Sequence, residues 1–483
     1  MRPVRGRSWW PGSGGRWRGG WRWTSSWWTS AATPRPRATR CCCSAPATAA
    51  SPPPRTGRGP AARSRTRSSP GSAAGCRGST GSVAERVGDG VKWERAGLVG
   101  AAIGVVAAGA AAGVAIERVT VGRGVRRKAQ LALDAAGPYG SLRGRAGTAT
   151  AEDGTELYFE TEDAAAPQEP EPPRRGWLRG RRGAAAAPLP VTVVFSHGYC
   201  LNQDSWHFQR AALRGTVRAV YWDQRSHGRS ERGRDQAAGG PATIDQLGRD
   251  LRAVLDAAVP EGPVVLVGHS MGGMTVMAFA DQYPDYVRER VAGVGFVSTS
   301  SGKLAAVTLG LPAVGARAFR AVAPGLLKIM GSQADLVERA RRATAELFAG
   351  IVKRYSFGSD VDPAVGRFAE RLIESTPIDV VAEFYPAFTD HEKGDALAVL
   401  DGLPGLVLAG DKDLLTPSEH STEIAEKLPD AELVIVPGAG HLVMFERPGL
   451  VNCALALLIA QAADSVQAPV AEGLRELATS GEA

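Results

Sequence analysis

The segment that most narrows the fold runs Val264-Val265-Leu266-Val267-Gly268-His269-Ser270-Met271-Gly272-Gly273, followed by Met274-Thr275-Val276-Met277-Ala278-Phe279. Four consecutive β-favouring apolar residues bounded by glycine predict a buried strand, and the apolar stretch after the glycines predicts a helix. Between them the backbone must turn sharply. Gly268 and Gly272, two residues either side of Ser270, permit the close approach that such a turn demands and leave the Ser270 hydroxyl at the end of the strand. The Met271 N–H then sits at a helix N-terminus, where it can face developing negative charge. A five-residue G-x-S-x-G pattern arises by chance in coil; its flanking strand and helix give it weight.

The rest of the chain repeats this alternation. Strands are expected at Val191–Ser196, Arg218–Asp223, Pro263–Gly268, Val291–Val297, Gly405–Ala409 and Glu432–Val436. Helical patterns fall between them at Thr243–Ala258, Met271–Tyr283, Pro417–Lys427 and Val451–Ala463. Ahead of them, Gly147–Thr150 and Thr155–Glu160 flank Glu152-Asp153-Gly154 as a hairpin signal. A Pro-, Ala- and Arg-rich insert at about 164–190 reads as a surface loop. The expected class is α/β: a mostly parallel sheet with helices on both faces, reached by right-handed crossovers. Residues 301–390 break the rhythm and read as an inserted helical cap. The expected parts are a core in two sections, 147–300 and 391–465, the cap at 301–390 between them, a linker or helix at 117–146 and a C-terminal tail at 466–483.

Charge is unevenly spread. Residues 1–84 hold 15 Arg and no Lys, Asp or Glu, so the net +8 of the whole chain leaves −7 for residues 85–483. Nucleic acid is therefore no expected partner of the folded part. Residues 1–90 lack apolar periodicity and are expected to be a disordered low-complexity tail, in which Arg interleaved with Trp suits nucleic-acid stacking. The rival reading is upstream sequence joined by a misplaced start site, with the true start at a non-Met codon near Val83 or Val91.

Ala96–Ile116 carries 21 positions without a charge, long enough for one bilayer crossing, although five Gly dilute its apolarity. Gly100/Gly104 and Gly109/Gly113 have the small-xxx-small spacing of packed membrane helices. The segment is read as a transmembrane or signal anchor, with a signal-peptide core or a buried soluble helix as alternatives. Arg118, Arg123, Arg126, Arg127 and Lys128 follow it and favour the folded domain on the cytoplasmic side; the alternative is a soluble cytoplasmic protein. Cys200 and Cys453 are the two cysteines outside the basic tail, too few for a disulfide framework. No metal or cofactor motif stands out, so no cofactor is expected.

A serine attacks a carbonyl only with a base to take its proton and donors to hold the oxyanion. Ser196-His197-Gly198-Tyr199-Cys200 follows an earlier strand and offers the Tyr199 N–H as the second oxyanion donor beside that of Met271. His197 and Gly198 are read as structural there, His197 through a hydrogen bond that fixes the loop. In a strand–serine–helix fold of this kind the order is Ser, acid, His. Of the seven His, His391, His420 and His441 follow Ser270. His441 lies on Pro437-Gly438-Ala439-Gly440, directly after the last strand, whereas His420 falls in a helix and reads as a solvated residue and His391 lies near the end of the cap. Ala409-Gly410-Asp411-Lys412-Asp413 supplies two carboxylates; Asp413 is favoured as the acid and Asp411 as a loop cap.

Together, His197-Gly198-Tyr199, Asp223-Gln224-Arg225-Ser226-His227-Gly228-Arg229-Ser230, Gly268–Gly272, Gly410–Asp413 and Gly440-His441 resemble the α/β-hydrolase superfamily, in its group of capped esterases and lipases, over about residues 147–463. Ser226 stands where that family commonly has Gly. The resemblance implies cleavage of a carboxylic ester, or related acyl bond, through an acyl-enzyme on Ser270, Asp413 and His441. It implies a small-molecule or lipid-like acyl substrate. Ser at position 270, not Asp, disfavours dehalogenase and epoxide hydrolase chemistry. An acyltransferase, a thioesterase, a carbon–carbon hydrolase, or a non-catalytic binding protein on the same fold remain alternatives.

Overall fold

The computed structural model describes residues 130–135, 137–165, 189–312, short stretches within 314–325, and 345–480. The expected tail at 1–90, the apolar run at 96–116 and most of the insert at 164–190 lie outside the described residues.

Among the described residues, eight strands form one sheet: β1 (Arg145–Thr150), β2 (Glu156–Glu162), β3 (Thr192–Ser196), β4 (Arg218–Trp222), β5 (Val264–His269), β6 (Val291–Val297), β7 (Gly405–Gly410) and β8 (Ala431–Val436). Their spatial order is β1-β2-β4-β3-β5-β6-β7-β8. The hairpin β1–β2 and the β2–β4 pair are antiparallel, and every pairing from β4 to β8 is parallel. The expected mostly parallel sheet is thus what the chain forms, with each strand within two residues of its expected bounds at either end.

The longer helices are α1 (His207–Leu213), α2 (Ile244–Ala258), α3 (Met271–Gln282), α4 (Pro284–Arg290), α5 (Ala345–Ser356), α6 (Pro363–Glu374), α7 (Ile378–Thr389), α8 (Ser418–Lys427), α9 (Pro448–Ser465) and α10 (Glu472–Thr479). Strand side chains alternate between the two faces, as their period of two requires. Val193, Phe195, Val265, Val267, Leu406 and Leu408 pack with Leu213 of α1, Leu455 and Leu458 of α9 and Leu474 of α10. Val194, Val264, Leu266, Phe296 and Val407 pack on the opposite face with α2, α3 and Ile424 of α8. A stretch buried on both faces reads as a continuous apolar run, which is why the strands were legible.

Helix boundaries follow local chemistry. Thr243 caps α2, accepting the Gln246 N–H at 3.1 Å, and Asp362 caps α6 ahead of Pro363 at the first helical position. By length and apolarity α9 could cross a membrane. It is instead a core helix, with Val451, Leu455, Leu458, Ile459 and Ala462 buried against the sheet. The segment expected as a C-terminal tail contains α10, docked on α9 through Leu474 and the Cys453 thiol, which donates to the Ala478 carbonyl. Within 301–390 the described elements are a 3-10 turn at Leu304–Ala306 and the helices α5, α6 and α7.

The sheet reverses direction of growth beside β3: β4 is added on one side and β5 on the other. The crevice outside the carboxyl ends of β3 and β5 is where such sheets place ligands. His197 and Ser270 are the residues just past those two ends.

Candidate active site

Ser270 joins β5 to α3 with φ 51° and ψ −118°, a conformation that costs a non-glycine residue about 1–3 kcal/mol. Packing holds it there. The Ser270 N–H donates to the Val297 carbonyl at 3.0 Å, and the Ser270 carbonyl accepts the Thr299 hydroxyl at 2.6 Å. A Cβ at Gly268 would lie 2.4 Å from backbone atoms of Gly272, and one at Gly272 would lie 2.2 Å from the Ser196 carbonyl oxygen. Both positions sit where backbone meets backbone, so neither tolerates a side chain. Met271 begins α3, and as a first-turn residue its N–H has no intrahelical acceptor.

The 197–200 turn lies against this elbow. His197 is fully buried; its Nε2 accepts the Gln224 N–H at 2.9 Å, which puts the ring proton on Nδ1, 2.7 Å from the Gly198 carbonyl. Burial holds its pKa down at about 4, so the ring is neutral near pH 7. The same Gly198 carbonyl accepts the Leu201 N–H at 3.2 Å. Because a peptide unit is planar and trans, fixing the Gly198 carbonyl fixes the Tyr199 N–H in the opposite direction. The Gln224 side chain closes the network, donating to the His197 carbonyl and accepting the Thr275 hydroxyl from α3.

The 223–230 segment braces this turn. Asp223, buried, accepts the backbone N–H groups of Gln203 and Arg229 at 2.7 and 2.9 Å. Arg225 pairs with Asp250 through two bonds of 2.6 Å and with Asp153 in the β1–β2 connection at 2.9 Å. Ser226, where the resembling family commonly has Gly, takes φ 65°, and its hydroxyl accepts the Gly233 N–H.

Across the sheet end, His441 Nδ1 lies 2.8 Å from Asp413 Oδ2. Asp413 is held from three further directions: Oδ1 accepts the N–H groups of Leu415 and Thr416 at 2.8 and 2.9 Å, and Oδ2 accepts the Thr416 hydroxyl at 2.9 Å. The Asp413 side chain is fully buried, whereas that of His441 is 8% exposed. Asp411 faces away and accepts the Gly438 N–H at 2.7 Å, closing the turn before His441. His269 reaches the same loop, its Nε2 lying 3.1 Å from the His441 carbonyl, with the two rings 4.9 Å apart. The other two late histidines serve Ser300: His391 Nε2 meets its carbonyl and His420 Nδ1 its hydroxyl, both at 2.9 Å. His420 is thus half-buried and engaged, not the solvated residue the sequence suggested.

Two groups escaped the sequence reading. His269 occupies one of the two unspecified positions of the G-x-S-x-G pattern, which says nothing of its role. Glu446 sits five residues past His441; its Oε1 accepts the Gly440 and Gly358 N–H groups and its Oε2 the Ser359 N–H and hydroxyl. It clasps the His441 loop to the turn after α5. The acid lies in an otherwise apolar Val443–Phe445 context, which was its one visible signal.

Residues 191–448 match the family described as alpha/beta hydrolase fold. The chain belongs to the α/β-hydrolase family, and it is a hydrolase enzyme. It is 29% identical over 288 residues to an sn-1-specific diacylglycerol lipase of Mus musculus, covering 56% of this chain and 85% of that one. It is 28% identical over 262 residues to a monoacylglycerol lipase of Mycolicibacterium smegmatis, covering 53% and 82%. A dihydrolipoyllysine-residue acetyltransferase component of an acetoin cleaving system, from Pseudomonas putida, is 26% identical over 271 residues; this chain spans 62% of its length. Among solved structures, a thermophilic esterase from Thermogutta terrifontis aligns with 25% identity and a TM-score of 0.48, covering 66% of this chain and 98% of that one.

Proposed function

We propose that this α/β-hydrolase cleaves a carboxylic ester through an acyl-enzyme on Ser270, with His441 as base and Asp413 as the acid that orients it. The observation that carries the reading is the 2.8 Å contact of His441 Nδ1 with a fully buried, three-times-donated carboxylate. That contact keeps the ring proton on Nδ1 and leaves Nε2 with a lone pair, the state a general base requires. His441 Nε2 takes the Ser270 proton as Oγ attacks the carbonyl carbon; the Tyr199 and Met271 N–H groups receive the oxyanion. The imidazolium then protonates the departing alcohol, and water, deprotonated by His441, releases the acid. His197 and Gly198 keep the donor loop in shape, and Gly268 and Gly272 keep the elbow.

The lipase names of two relatives support an acyl substrate with a long apolar part. In this reading residues 301–390 form a cap over the sheet end, and 96–116 attaches the enzyme to a membrane.

Labelling with a fluorophosphonate tests the assignment. The wild-type chain should be labelled and should hydrolyse a p-nitrophenyl ester, and Ser270→Ala should lose both. Labelling that survives Ser270→Ala would overturn Ser270 as the nucleophile.

A further inference from the structure

Helix α7 and the 197–200 turn are joined by a bond for which the chemistry above has no use. The Tyr199 hydroxyl donates to the backbone carbonyl of Val381. Pro386 lies inside α7. Its ring crowds the carbonyl of Ala382 and its missing N–H leaves that carbonyl without a helical partner. Val381 stands next to Ala382 in that turn, and its carbonyl is the one that accepts the Tyr199 hydroxyl from beside the helix.

A second attachment lies on the same stretch of α7. Arg232 pairs with Asp379 at 3.0 Å and also with Glu383. Arg232 follows the 223–230 segment, and Tyr199 belongs to the turn held by His197 and Leu201, so both anchors stand on rigid parts of the core. On the same helix, Val380, Phe384 and Ala387 recur at helical spacing and are buried in one apolar cluster with Met271, Met274 and Ala278 of α3. The half-buried side chains of Tyr199, Phe388 and Leu304 border that cluster, with the Tyr199 and Phe388 rings edge to face at 4.9 Å. Met271 and Tyr199, whose N–H groups are the proposed oxyanion donors, thus share with α7 one apolar cluster, to which Ile244 and Leu247 of α2 also belong.

We propose that the Tyr199 hydroxyl and Arg232 are specificity-determining groups that pin α7 against the elbow and so limit the acyl group that fits beside Ser270. Phe388 and Leu304 are the walls the acyl chain meets, and the pin sets their distance from the ester carbonyl. Neither side chain touches the reacting atoms; they act by positioning α7. The inference rests on the acyl-transfer reading.

The test compares the wild-type chain with Tyr199→Phe, which keeps the ring and the backbone N–H, and with Arg232→Gln. For each, kcat and KM are measured on p-nitrophenyl esters from butanoate to dodecanoate. Loss of one hydrogen bond at the pin should raise the dodecanoate-to-butanoate ratio of kcat/KM by on the order of fivefold, mainly through KM for the long ester. Arg232→Lys should restore most of the wild-type profile, which a variant that is merely less stable would not do. Hydrogen exchange over 378–389 should quicken by a similar factor in Tyr199→Phe and Arg232→Gln. Chain-length profiles superimposable on the wild type, or unchanged exchange over α7, would overturn the pin. If the wild-type chain hydrolyses no ester and resists the fluorophosphonate, the acyl-transfer reading fails, and exchange over α7 still decides the pin.

Discussion

His269 lies with Nε2 3.1 Å from the backbone carbonyl of His441, so the residue before the elbow serine holds the loop that carries the late imidazole. The carbonyl oxygen accepts, which puts the proton of the neutral His269 ring on Nε2. Burial, and next the nearby His441, keep its pKa well below the ordinary value, so it does not become charged near pH 7. The elbow and the base loop are thereby one unit across a chain separation of 172 residues.

Removing that bond should loosen the His441 loop. His269→Phe keeps an aromatic ring but leaves a buried carbonyl unpaired, a cost of about 1–3 kcal/mol. We expect a lower melting temperature and a kcat reduced by roughly fivefold, given that a single hydrogen bond is worth about 1 kcal/mol. His269→Gln, whose amide can donate at similar reach, should recover part of both. Equal kcat for the Phe variant and the wild type would remove His269 from any positioning role.

The two neighbouring carboxylates should separate cleanly. Asp413→Asn keeps the shape but presents an amide to His441, favouring the wrong tautomer, and should lower kcat by about ten-thousand-fold. Asp411→Asn touches the Gly438 turn and not the imidazole, so its loss should be far smaller. Both are read from steady-state hydrolysis with thermal melting as a folding control. Comparable losses in the two variants would reject the assignment of Asp413.

Stability should fall on acidification through the histidines. Burial holds His197 at about 4 and His227 at about 3, against 6.5 for an ordinary imidazole. Below pH 6.5 the unfolded chain binds protons at these rings while the folded chain does not, so stability declines from about pH 7 toward pH 4. Asp223 and Asp250 act with the opposite sign: burial raises both, so the folded state takes up their protons first. The variant His227→Phe isolates the histidine effect, since its melting temperature should fall less steeply than that of the wild type between pH 7 and pH 4. Parallel curves would refute this.

Legibility varied with how local the cause was. Strands β3 to β7 were readable because burial on both faces writes a continuous apolar run, and α2 because Thr243 caps an amphipathic repeat. Helix α10 went unnoticed because eight residues show little period on their own and gain their stability by docking on α9. His420 was misjudged because its helix position says nothing of Ser300, which the pairing of β6 with β7 brings beside it. Glu446 looks like an ordinary surface charge in the sequence, yet it is buried and engaged by the Gly440, Gly358 and Ser359 N–H groups and the Ser359 hydroxyl.

By itself the sequence determined the order of strands and helices, and the placing of Ser270 on a tight strand-to-helix turn. Both follow from side-chain periodicity and from glycines within a few residues of one another. Only the tertiary structure decided which partners meet: Asp413 rather than Asp411 at His441, His269 at the His441 carbonyl, Tyr199 under α7. Those contacts join residues 28, 172 and 182 positions apart. Strand order within the sheet creates them, and no local pattern encodes that order.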